Sequence, residues 1–70
     1  MITKNDIKLG QKVKKLRNQK GWTQDQLSEK LGVSMKHVQF IEGAHRKPSL
    51  KLLSKIAKTL GVRVSELFDY

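Results

Sequence analysis

Apolar residues at Leu9, Val13 and Leu16 recur at the three- and four-residue spacing that lines one side of a helix. That pattern predicts a first helix from about Asp6 to Gln19, capped by Asn5 or Asp6, with Lys8, Lys12, Lys14, Lys15 and Lys20 at other angles. From Gly21 to Glu42 the spacing tightens. Leu27, Ser28, Leu31, Gly32, Val33, Val38 and Ile41 fall where two short crossing helices need apolar, small and turn residues. Thr23 can cap the first of the pair, with Gln26 completing a capping box and Trp22 and Leu27 placed as a hydrophobic staple. Ser34 repeats the device for the second, flanked by Val33 and Val38, and Gly32 can take the positive φ of a sharp reversal. Pro48 ends the loop that starts at Gly43, and Ser49 caps an amphipathic segment carrying Leu50, Leu53, Ile56, Ala57 and Leu60, closed by Gly61. Ser65 can open a last short helix bearing Leu67 and Phe68. Strand-like alternation, internal repeats and low-complexity linkers are missing, so an all-α bundle of five helices is expected, with a helix-turn-helix at about residues 23–42.

Seventy residues leave room for one domain, taken as residues 1–70, and a core this small gives a narrow margin of stability. Without cysteine, neither a disulfide nor a thiolate zinc site can supplement that core, and a reduced, cytoplasmic setting is expected. No apolar run approaches a signal-peptide core or a membrane span, so a soluble, unprocessed chain with no membrane partner is expected. The formal charge of +9 favours a polyanionic partner, although charge alone fits equally well with lysines that only maintain solubility. The two histidines lie eight residues apart without clustered carboxylates, and no nucleophile and base pattern occurs. Neither a metal, a cofactor nor an enzymatic role is expected.

The chain resembles the phage-repressor or Cro/CI-type helix-turn-helix family, also called xenobiotic-response-element-type regulators, whose fold is that of lambda-repressor-like DNA-binding domains. The matching residues are Leu9-Gly10, Val13 and Leu16-Arg17; Gly21-Trp22-Thr23-Gln24, Leu27, Gly32-Val33-Ser34, Val38 and Ile41-Glu42; and Arg46, Pro48, Ser49 and Leu50. Ile56-Ala57, Leu60-Gly61-Val62 and Ser65-Glu66-Leu67-Phe68 are similar to its closing helices. The resemblance implies that Gln24, with Thr23 beside it, anchors a phosphate at a helix N-terminus. It also implies that Ser34, Met35, Lys36, Gln39 and Phe40 face the major groove, with His37 at the margin. His45, Arg46 and Lys47 would grip phosphate or reach toward the minor groove, and Arg17 and Glu42 would form an ion pair tying the first helix to the end of the recognition helix.

By side-chain chemistry, Lys36 suits guanine O6 and N7, Gln39 adenine or a phosphate, and Met35 and Phe40 thymine methyls. Phe40 has alternatives in packing on the preceding helix or meeting a partner. One departure from the family pattern falls after Glu42, where the usual glycine slot holds Ala44 and Gly43 comes one residue earlier. Either Ala44 turns left-handed at a cost of about 1 kcal/mol, or the turn moves onto Gly43. Val62, Val64, Leu67, Phe68 and Tyr70 supply more apolar surface than a short terminal helix can cover, so a homodimer is expected. The resulting expectation is a sequence-specific double-stranded DNA-binding regulator, a repressor acting as a dimer on a near-palindromic operator. Two alternatives are an antitoxin or protein-interaction module whose DNA contact is autoregulatory, and a less specific RNA or membrane-surface binder.

Overall fold

The computed structural model describes residues 3–69. Its elements are α1 (Lys4–Gln19), α2 (Gln24–Leu31), α3 (Met35–Glu42), α4 (Leu50–Leu60) and a closing 3-10 helix (Val64–Phe68), with no strand among the described residues. Four α-helices therefore stand where five were expected. The last segment spans only five residues and closes on i to i+3 bonds, Glu66 N–H to the Arg63 carbonyl at 3.0 Å and Asp69 N–H to the Glu66 carbonyl at 3.3 Å.

Local chemistry accounts for the helix ends. Helix α1 starts earlier than the apolar pattern suggests, because Thr3, and neither Asn5 nor Asp6, is its cap. The Thr3 hydroxyl accepts from Asp6 N–H at 3.2 Å while the Asp6 carboxylate accepts from Thr3 N–H at 2.9 Å. Thr23 and Gln26 form the same reciprocal pair at α2, at 3.0 and 2.8 Å. Ser34 and Ser49 accept from His37 N–H and Leu52 N–H at the starts of α3 and α4. Gly32, at φ 72°, closes α2 in the left-handed conformation and frees the chain to start α3 after Val33 and Ser34.

The core joins Leu9 and Val13 of α1 to Leu27, Leu31, Val38 and Ile41 of the helix pair, to Leu53, Ile56, Ala57 and Leu60 of α4, and to Leu67. Two expectations are corrected here. Leu50, placed by spacing on the buried stripe of α4, is 81% exposed, because it is the first helical residue and the packed face begins at Leu53. Leu67, counted among the surplus apolar residues at the C-terminus, is wholly buried in the chain's own core. Val62 and Val64 also pack partly against that core, which leaves Phe68 as the exposed residue of the set; Tyr70 lies outside the described residues.

After α3 the left-handed turn falls on Ala44, at φ 61°, while Gly43 stays at φ −86°. The departure from the family pattern is thus met by strain at alanine rather than by a shifted turn. The Ala44 methyl is buried, which offsets part of that strain.

Candidate nucleic-acid interface

The two sides of α3 have opposite characters. Val38, Ile41 and Glu42 are buried, whereas Met35, Lys36 and Gln39 are exposed, with Ser34 exposed at the cap and His37 and Phe40 half-buried at the margins. Spacing accounts for most of this division, since residues three and four apart share a helix face; Met35, three residues before Val38 and seven before Glu42, is exposed because it is the first residue of the helix.

The inner side is fixed by a buried polar network. Arg17 Nε donates to Glu42 Oε2 at 2.7 Å and its terminal nitrogen to Oε1 at 3.1 Å, a two-pronged pair whose side chains are 8% and 3% exposed. The remaining arm of Arg17 donates to the Trp22 carbonyl at 2.7 Å. Gln24 Nε2 donates to Glu42 Oε1 at 3.1 Å, so one amide hydrogen of the expected phosphate anchor is directed inward. Among the described residues no buried side-chain polar atom lacks a partner. A buried charge pair in which each nitrogen of Arg17 and each carboxylate oxygen of Glu42 has a partner holds its geometry, and removing one member would strand the other.

Gly10 belongs to the same junction and carries no signal in the sequence beyond its place in the motif. A Cβ there would lie 2.6 Å from the Glu42 carbonyl oxygen and 2.7 Å from that of Ile41, so only glycine lets α1 approach the backbone of α3 this closely. The clue available in sequence is that Gly10 lies seven residues before Arg17, on the same face of α1.

The loop after α3 is folded back onto Phe40. His45 N–H and Arg46 N–H both donate to the Phe40 carbonyl, at 2.8 and 3.3 Å. Around its ring lie Lys36 Nζ at 5.7 Å, Arg46 Cζ at 5.9 Å and the His45 ring at 6.2 Å, edge-on. A half-buried aromatic with cations at that range attracts them through its quadrupole and holds helix and loop charges on one surface. This clustering was not foreseen, because the loop's path is set by tertiary hydrogen bonds rather than by spacing.

Lys47 takes a different position. Its Nζ is 3.6 Å from Asp6 Oδ1, linking the loop to the start of α1. The bond from Thr3 N–H, then the Thr3 hydroxyl and the Lys47 ammonium, hold the Asp6 carboxyl below the usual aspartate range. Thr23 is exposed at the start of α2, its hydroxyl engaged in the capping box. The described residues contain no group of three or more His, Cys, Asp or Glu able to hold a metal, and no helix among them is long and apolar enough to cross a membrane.

The family profile described as helix-turn-helix matches residues 13–67, most of the chain. The chain belongs to the Cro/CI-type helix-turn-helix family. It is 39% identical over 62 residues to the HTH-type transcriptional regulator SlrR of Bacillus subtilis, covering 87% of this chain and 41% of that protein. To an HTH-type transcriptional regulator of Methanocaldococcus jannaschii it is 48% identical over 48 residues, or 69% of this chain and 73% of the relative. It is 37% identical to the immunity repressor of Bacillus phage phi105, covering 84% of this chain and 41% of the repressor. The chain thus spans less than half the length of two of these relatives. Among solved structures, the restriction-modification controller protein C.AhdI from Aeromonas hydrophila superposes with a TM-score of 0.84 at 34% identity, over 89% of this chain and 94% of that one. The biofilm master regulator SinR, solved in complex with DNA, superposes at 0.79 with 35% identity, over 84% and 95% of the two chains.

Proposed function

We propose that this chain is a sequence-specific double-stranded DNA-binding domain of a cytoplasmic transcriptional regulator, a repressor that acts as a homodimer on a near-palindromic operator. The single observation that carries the reading is the two-sided α3, with Met35, Lys36 and Gln39 exposed on a helix whose opposite side is locked to α1 through Glu42. A rigid helix with a free polar face is what groove reading requires, and the relatives' names as transcriptional regulators and repressors support the same conclusion.

In this reading Ser34, Met35, Lys36 and Gln39 meet base edges, and His37 touches the sugar-phosphate backbone. Lys36 donates to guanine, Gln39 pairs with adenine or holds a phosphate, and Met35 packs on a thymine methyl. Thr23 and the second amide hydrogen of Gln24 approach one phosphate at the start of α2, while His45, Arg46 and Lys47 grip the strand beside the groove. Phe40 serves by holding Lys36 and Arg46 together and can offer its ring edge to a thymine methyl. The exposed Phe68, next to half-buried Val62 and Val64, supplies the apolar contact for the second copy, with half-sites about 34 Å apart. No cofactor or catalytic step enters.

Titration with duplex DNA over a range of salt tests the reading. With 6 to 10 phosphates neutralised, affinity should fall by about 10³- to 10⁵-fold between 50 and 200 mM salt. A flat response would overturn it.

A further inference from the structure

Much of the positive charge of this chain lies away from the recognition helix and the loop that follows it. Helix α3 carries one lysine and one glutamate, and α2 carries one lysine against two acids. Helix α1 carries six basic residues and a single acid, Asp6. Lys4, Lys8, Lys12 and Lys15 recur at four- and three-residue spacing, which sets them along one face of α1 over about 16 Å. Lys4, Lys8 and Lys15 are exposed, and Lys12 is half-buried with its ammonium donating to the Asp69 carbonyl at 3.3 Å.

That face points away from the recognition helix. Gly10 and Arg17 mark the side of α1 that meets the backbone and Glu42 of α3, and at 100° per residue Lys8 and Lys15 stand roughly 140° to 160° around the helix from Gly10. On α3, Lys36 stands about 120° around the helix from Glu42, the residue that meets α1. A duplex seated on Lys36 and Gln39 therefore approaches from a side that Lys8 and Lys15 do not face, whereas Lys4 stands near the loop through the Asp6–Lys47 contact.

We propose that this lysine face of α1 binds the phosphates of a second DNA duplex, so that the protein joins two segments of DNA. The residue types favour that partner over others. Lysines about 6 Å apart on an open ridge, with Gln11 and Gln19 between and beside them, suit a regular line of phosphates without base readout. Among the described residues of α1, no aromatic or leucine shares that face to enter a lipid interface, to anchor a protein partner or to stack on single-stranded bases.

The test immobilises on beads a duplex carrying the preferred site, loads it with the full chain, and offers a labelled second duplex at physiological salt. The parent protein should capture the second duplex. The variant Lys4→Gln, Lys8→Gln, Lys15→Gln, which leaves Lys12 in place, should reduce capture at least tenfold while changing affinity for the immobilised site less than threefold. Independently of any groove-reading function, the same three changes made on a Lys36→Ala, Gln39→Ala, Arg46→Ala background should remove about two units of salt slope or more from residual duplex binding, Lys8 also being engaged within the chain. Equal capture by parent and variant, no capture by the parent, or an unchanged salt slope would overturn the proposal. So would binding of the parent, in place of the second duplex, to vesicles of phosphatidylserine and phosphatidylcholine. Circular dichroism melts matched to the parent show that the variants are folded.

Discussion

The inner and outer sides of α3 are built from the same eight residues yet follow different rules. On the inner side Glu42 accepts from Arg17 through two bonds and from Gln24 through a third, and its carbonyl lies where a Cβ of Gly10 would have to go. On the outer side Met35, Lys36 and Gln39 are exposed, and the described contact of Lys36 is with the Phe40 ring at 5.7 Å. The inner side is over-determined, and the outer side is not committed to the core. Under the proposed function, a domain this small holds its reading helix still through Gly10, Arg17 and Glu42, none of which is assigned to a base.

That contrast breaks most visibly from the inside. Glu42→Ala leaves the Arg17 guanidinium buried without its carboxylate, and the expected loss is about 3 to 5 kcal/mol, enough to unfold much of the protein at moderate temperature. A melt equal to the parent's would show that the pair does not lock the helix. Gly10→Ala comes next. The new methyl meets two backbone oxygens that cannot rotate away, so α1 and α3 must separate, at a cost of about 1 to 3 kcal/mol measured by urea denaturation.

On the outer side the effects should move from stability to binding. Lys36→Ala is expected to leave the melt within about 0.5 kcal/mol. It should cost about 1 to 3 kcal/mol of affinity, confined to one base pair if Lys36 reads guanine. A uniform loss on all sequences, with the salt slope smaller by about one unit, would assign Lys36 to a phosphate instead. Competition binding with single-base variants of the site separates the two.

The smallest effect concerns Asp6, where the loop meets α1. Its carboxyl is held below the ordinary aspartate value, so the stability it adds is present at pH above that value and is lost as pH falls through the lowered one. Parent and Asp6→Asn should therefore differ slightly in melting temperature at neutral pH, by less in high salt, and converge only as pH falls below 3.8 and through the lowered value. A gap that persists at low pH would assign the difference to the capping geometry rather than to the charge.

The features legible in the sequence were those fixed within a few residues. Thr23 with Gln26, Ser34, Ser49, Gly32 and Gly61 mark helix ends by their own chemistry, and the structure places each at the end it marks. Thr3 was missed because Asp6 does at N3 what glutamate or glutamine more often does, and the apolar pattern begins later. Spacing could not distinguish Leu50 from Leu53, or Leu67 from Phe68, because periodicity assigns a face but not where a neighbouring element ends. The Gly10 contact and the cations gathered around Phe40 depend on segments far apart in sequence meeting at particular distances, which no local pattern encodes.

In the proposed function the outer side of α3 reads DNA while its inner side only aims it. Selection of bound duplexes from a random pool tests this most directly, using the parent and a Met35→Ala, Lys36→Ala, Gln39→Ala variant with matched melting temperatures. A two-fold-related consensus is expected for the parent and its loss for the variant, with salt-dependent, sequence-indifferent binding remaining. Recovery of the same consensus by both proteins would contradict it.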